Sequence, residues 1–113
     1  MLRTLAAVAM IALIAASTSE AGIKKLSKKV FPSWWLRAAL CVHSYEGSWQ
    51  DSGYPYFGGM QFDIPTWLSN GGGRYAYYPH MASPTNQLRV AYKLWQSRGW
   101  YPWPTTARKC NLI

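Results

Sequence analysis

Two cysteines, Cys41 and Cys110, hold most of this chain between them, and the fold must accommodate either a bridge or two free thiols at those points. The N-terminus decides between the two. Arg3 supplies a short positive segment, Leu5 to Ala16 form an apolar run, and Ser19-Glu20-Ala21 puts small residues where a signal peptidase reads. That is the pattern of a secretory signal cleaved before Gly22. The run falls short of the roughly twenty apolar residues a membrane-spanning helix needs, so no transmembrane anchor is expected. No cysteine stands near the cleavage site to carry a lipid. Export favours oxidation, and a Cys41–Cys110 disulfide is the expectation. Closing a loop of about seventy residues stabilises by roughly 4 kcal/mol on the chain-entropy model. The bridge would also pin the C-terminal tail to the helix that carries Glu46.

Removing residues 1–21 from the 113 leaves 92, enough for one small domain with a marginal core. Arg3 and Glu20 leave together, so twelve basic residues become eleven and four acidic ones become three. Such a balance points to anionic surroundings: nucleic acid, anionic lipid or a wall with acidic polymers. Lys24, Lys25, Lys28 and Lys29 crowd behind the cleavage site as a solvated arm. The expected organisation is a signal peptide at 1–21, a basic arm at 22–32 and a folded domain at 33–113.

Phe31-Pro32-Ser33 can open a helix, because proline is accepted in a first turn where its missing N–H would go unpaired. From Trp35, the positions Ala38, Ala39 and Val42 follow at helical spacing. Gly47 stands just past the helix end, where a positive φ is often needed. Asp51-Ser52-Gly53 is turn chemistry. Tyr54 to Phe62, aromatic and glycine-rich, reads as a short hairpin. Asp63 is an expected N-cap with Pro65 in the first turn of a short helix that Asn70-Gly71-Gly72-Gly73 ends. Ser83-Pro84 starts the clearest helix, with Leu88, Ala91, Tyr92 and Trp95 as its inward stripe and Gly99 as its stop. The tail Gly99 to Pro104 is too proline-rich for a helix and too aromatic to be left in water. The fold class is mainly α with a small β-hairpin.

Glu46 is the only glutamate left after the signal is removed. It falls at a helix C-terminus, whose partial negative charge disfavours an ionised carboxylate and favours the protonated acid. Cleaving a glycosidic bond needs such an acid, able to donate to the leaving oxygen. Tyr45, Trp49 and Tyr56 could shelter the carboxyl and offer flat rings to the apolar faces of sugars. A lone glutamate on a basic domain is otherwise an ordinary surface residue. His43 and His80 are isolated, so no metal site and no cofactor are implied. Nucleic-acid binding has only the charge behind it and is not expected. A membrane-active cationic peptide would not need paired caps or a disulfide.

From Leu36 to Cys110 the chain resembles the resuscitation-promoting factor family, actinobacterial transglycosylase-like domains of the lysozyme superfamily. The residues that carry the likeness are GGMQFDIPTWLSNGGGRYA (Gly58 to Ala76), an Asn-Gln-Leu-x-Val-Ala helix (Asn86 to Ala91), and GWYPWP before the last cysteine. The resemblance implies a compact lysozyme-like domain with a disulfide matching Cys41–Cys110. It implies peptidoglycan glycan strands as substrate, Glu46 as general acid, Gln61 and Thr66 lining the sugar cleft, and Trp49 bracing it. Tyr56 joins them as a substrate-binding aromatic. In the family the acid directly follows the first cysteine, whereas Val42 holds that place here; related proteins put four residues between cysteine and glutamate, which matches Glu46. Under the strict register the chain is an inactive wall-binding module. Under the other register, which we prefer, Glu46 cleaves the MurNAc–GlcNAc β-1,4 bond. A lytic transglycosylase manages with one acid, and a muramidase hydrolase would need a second carboxylate from Asp51 or Asp63. The expected setting is extracellular and wall-associated, as a monomer, with other cell-wall hydrolases as partners.

Overall fold

Pro32 is the N-cap residue of α1, Ser33–Glu46, which begins directly behind it, with Leu36 N donating to Pro32 O at 3.0 Å. This computed structural model describes Gly22 and residues 30–113; the expected signal peptide, and residues 23–29 of the expected basic arm with its four lysines, lie outside the described residues. Among the described residues follow α2, Ile64–Ser69, two 3₁₀ turns at Gly72–Arg74 and Pro79–Met81, α3, Pro84–Arg98, and α4, Pro104–Lys109. The architecture is mainly helical. No helix among the described residues is long and apolar enough to cross a membrane.

On α1 the expected stripe is present and wider: Trp35, Leu36, Ala39, Leu40, Val42 and His43 are buried, and Ala38 is half-buried. The helix stops at Gly47 for a reason other than a positive φ. Gly47 has φ 177, ordinary extended backbone, and what it lacks is room. A Cβ there would stand 2.8 Å from Gln61 Nε2 and 3.1 Å from Asp51 Oδ2.

The expected hairpin at Tyr54 to Phe62 reduces to one antiparallel bridge, in which Phe57 and Phe62 exchange two backbone bonds of 2.9 Å. Gly58 (φ 78) and Gln61 (φ 51) curl the chain so tightly that the turn uses up the four residues between Phe57 and Phe62. Upstream, Pro55 has no N–H to extend a ladder. Downstream, Asp63 is already the cap of α2: its Oδ1 accepts from Thr66 N at 2.7 Å, with Pro65 in the first turn. Trp67 points inward from α2 and donates from Nε1 to Ala76 O at 2.8 Å. Gly72 lies on its indole face, where a Cβ would come within 2.2 Å of the ring.

Ser83 caps α3, its hydroxyl accepting from Asn86 N at 3.2 Å, and Gly99 (φ 62) ends it. Leu88 and Ala91 are buried as expected, together with Gln87, Val90 and Leu94; Tyr92 and Trp95 are only half-buried. The latter two belong to an aromatic layer between α1 and α3. Trp35 meets Tyr92 edge-on at 4.9 Å and stacks on Trp100 at 5.9 Å. Trp100 and Trp103, from the non-helical stretch after Gly99, are buried and carry the chain back to α1. There α4 begins, a helix that reading the tail as aromatic packing does not foresee. The Cys41–Cys110 disulfide joins α1 to the residue just past α4, with a Cα–Cα separation of 6.1 Å.

Candidate functional site

Glu46 is the last residue of α1 and is half-buried. Thr106, on α4, donates its hydroxyl to Glu46 Oε1 at 2.9 Å, and the same hydroxyl lies 3.3 Å from Trp103 O. The carboxyl is therefore aimed by a residue on a different helix, behind the disulfide.

The next residue, Gly47, gives the Gln61 amide its space. Gln61 Nε2 donates to Asp51 Oδ2 at 2.8 Å and to Gly58 O at 2.9 Å. Asp51 turns its other oxygen to Gly53 N at 2.9 Å and accepts Gly58 N on its backbone carbonyl at 2.8 Å. One loop thus locks Asp51 and Gln61 beside the residue that follows Glu46. Trp103 ties this loop to the start of α4, its indole Nε1 donating to Met60 O at 2.8 Å.

On the far side of Gln61 a cleft of about 340 Å³ opens between the loop, α2 and the tail. Tyr56, Gln61 and Thr66 line it together, with Arg98, Tyr101 and Trp103 on the opposite wall. Tyr56 and Tyr101 are 50% and 65% exposed, so their rings stand at the rim where a flat ligand can reach them. Thr66 lies in the first turn of α2, its N–H held by the Asp63 cap and its side chain at the cleft wall. Asp63 borders the cleft with one oxygen already used by that cap.

Trp49 is elsewhere. It is 6% exposed and stacks on the His43 ring at 3.8 Å, with Gly59 packed against it so closely that a Cβ would come within 2.3 Å. It does not line the cleft and supports the loop from beneath. Gln87 completes this underside. Fully buried, it donates from Nε2 to Trp49 O (2.9 Å) and Ala82 O (3.0 Å) and accepts from Gly59 N (2.9 Å). Thr106 and Gln87 are the residues that sequence reasoning misses. Both act across the fold, over separations of 60 and 28–38 residues; Gln87 sits in the Asn-Gln-Leu-x-Val-Ala stretch, but that pattern does not reveal its partners. Tyr101 lies in the aromatic tail expected to pack away from water; Trp100 and Trp103 do so, whereas Tyr101 is exposed at the cleft.

These features define a class: a small, disulfide-tied, mainly helical domain with a helix-terminal carboxylic acid next to a loop that borders an aromatic-rimmed polar cleft, although Glu46 itself does not line that cleft. A family model for the transglycosylase-like domain matches residues 33–106. A resuscitation-promoting factor of Corynebacterium glutamicum is 34% identical over 79 residues, covering 69% of this chain and 40% of the relative. One from Micrococcus luteus is 35% identical over 79 residues, covering 69% and 33%. A third, from Mycolicibacterium smegmatis, is 39% identical over 71 residues, covering 62% and 19%. The chain belongs to the transglycosylase-like domain family, that of the resuscitation-promoting factors. It spans two fifths or less of the length of these three relatives.

Proposed function

We propose that this chain cleaves peptidoglycan glycan strands at the MurNAc–GlcNAc β-1,4 bond as a lytic transglycosylase on a lysozyme-like fold. The observation that carries the reading is the placement of Glu46, the one glutamate of residues 22–113, held by Thr106 at the end of α1 next to the Gln61 loop and its cleft. In this reading Tyr56, Gln61 and Thr66 bind the sugars, and Trp49 braces the loop from below.

Protonated Glu46 donates to the glycosidic oxygen, and C1 of the muramic acid develops oxocarbenium character. The carboxylate left behind takes the proton of the same sugar's C6 hydroxyl, whose oxygen closes on C1 to give a 1,6-anhydro product. Thr106 fits both halves of this cycle. A hydroxyl carries one proton and two lone pairs. It donates to Glu46 Oε1 whether the acid is protonated or ionised, which leaves Oε2 to carry the proton to the glycosidic oxygen and to take one back from the C6 hydroxyl. Asp51 has both side-chain oxygens engaged, and Asp63 is committed to the α2 cap. That leaves one uncommitted acid, which suits the intramolecular route.

One observation favours a second reading. Asp51 Oδ2 lies within 3.1 Å of where a Gly47 Cβ would stand, close beside the acid's own backbone. A muramidase would use it as the second carboxylate. Incubating wild type and Glu46→Gln with peptidoglycan and weighing the soluble products separates these cases. Anhydro-muropeptides from wild type alone support the proposal, and reducing-end products support hydrolysis. Equal release by both proteins removes Glu46 from its role, and wall binding without release by either means an inactive binding module. We further propose residues 1–21 as a secretory signal, 22–32 as a basic arm and 33–113 as the domain. The protein then works outside the cell at the wall as a monomer, alongside other wall hydrolases.

A further inference from the structure

Where α2 ends and α3 passes the Gly72–Arg74 turn lies a second open cavity, of about 380 Å³, that shares no lining residue with the cleft. Three cationic side chains line it: Arg74 from the turn, and Arg89 and Lys93 from α3. Arg89 and Lys93 are four residues apart, so they rise from one helical face as a like-charge pair that costs the helix stability. Arg74 comes from the opposite wall. All three are exposed.

These charges have no counterion among the described residues. The carboxylates of residues 30–113 are Glu46, Asp51 and Asp63, and none lines the cavity. The guanidinium of Arg74 and the ammonium of Lys93 make no hydrogen bond among the described residues; Arg74 bonds only through its backbone N–H, to Gly71 O at 3.4 Å. Arg89 gives Nη1 to Asn86 Oδ1 at 2.6 Å, which fixes the guanidinium and leaves its other N–H groups free to bind. The C-terminal end of α2 offsets part of the charge. A helix end carries at most roughly half an elementary charge, so three cations leave a surplus of more than two. The floor is glycine. Gly71, at φ 85, adopts the left-handed backbone that favours glycine, with Lys93 Nζ nearby.

We infer that this cavity is a binding site for a phosphate-class oxyanion. A phosphate group carries about −1.5 to −2 at neutral pH and offers three acceptor oxygens. That matches two guanidinium forks and an ammonium better than a single carboxylate does. The cavity is larger than one anion, so the phosphate can enter attached to a larger group. The site lies apart from the cleft lined by Gln61 and does not depend on the reading given to that cleft.

Inorganic phosphate is the probe, titrated into isotope-labelled protein and followed by amide chemical shifts, with acetate and chloride at matched ionic strength. The expected result is saturable movement of amides in residues 70–75 and 86–93 under phosphate. Acetate should bind at least tenfold more weakly, chloride should give no saturable shift, and amides around Gln61 and Thr66 should stay still. The double variant Arg89→Gln/Lys93→Gln, with an unchanged amide spectrum elsewhere, should weaken phosphate binding at least tenfold. Arg37→Gln/Arg108→Gln, which removes two exposed cations outside the cavity, should leave it within twofold. Equal weakening by both double variants, or shifts that grow linearly at every basic residue, would mean general attraction to a positive surface and would overturn the inference.

Discussion

Replacing Gln87 by leucine should be among the most damaging changes in the domain. Its amide makes three bonds, to Gly59 N, Trp49 O and Ala82 O, at 2.9–3.0 Å and with no solvent exposure. Leucine keeps the apolar bulk and removes every partner. The buried Gly59 N–H then goes unpaired at about 1–3 kcal/mol, and each orphaned carbonyl adds about 1 kcal/mol, so the loss totals roughly 3–5 kcal/mol. A domain of this size has only about 5–15 kcal/mol to lose. At about 4–8 °C per kcal/mol, the melting temperature should fall by at least roughly 12 °C. Guanidinium titration measures the change directly, provided the slope with denaturant stays the same. Gln87→Glu should fare no better, since it keeps an acceptor, loses both amide donors and buries a charge. Gln96→Leu, on the exposed side of the same helix, should stay within about 0.5 kcal/mol of wild type. A Gln87→Leu loss below about 1 kcal/mol, or a stable Gln87→Glu, would refute the claim that these three bonds hold the loop.

Thr106→Val should lower turnover about ten- to a hundredfold, the equivalent of a hydrogen bond to a charged group at roughly 1.5–3 kcal/mol, with wall binding little changed and Thr106→Ser restoring the rate. Gly47→Ala meets no backbone strain, but its Cβ would displace the Gln61 amide from Asp51; activity should drop while stability changes by about 1 kcal/mol at most. The double variant Cys41→Ala/Cys110→Ala, measured by chemical denaturation, should lose roughly 2–5 kcal/mol.

Elements coded by neighbouring residues were legible in the sequence. The Asp63 and Ser83 caps, each with a proline in the following turn, and the Gly99 stop are local chemistry, and the structure has all three. The disulfide was legible because two cysteines leave a single pairing. The hairpin was misread because aromatic and glycine composition does not reveal how many residues a turn consumes; Gly58 and Gln61 both sit at positive φ and leave one bridge. Gly47 was given a conformational reason when its reason is steric, set by Gln61 fourteen positions away. At the site, Tyr56, Gln61 and Thr66 line one cleft; Gln61 and Thr66 come from the Gly58–Ala76 stretch and Tyr56 from just before it. Thr106 and Gln87 stayed hidden because polar residues that work through distant tertiary contacts leave no periodicity behind.

Glu46 and Thr106 stand 60 residues apart along the backbone, yet a much shorter covalent route joins them. It runs from Glu46 back to Cys41, across the sulfurs, and from Cys110 back to Thr106. Shortening the path from sixty residues to about ten lowers the entropy of bringing its ends together by roughly 1.6 kcal/mol. A single hydrogen bond contributes a net of about 1 kcal/mol. In the proposed reading, the hydroxyl that aims the acid therefore depends on the bridge as a tether: a reduced chain keeps its glutamate but loses much of the means to point it.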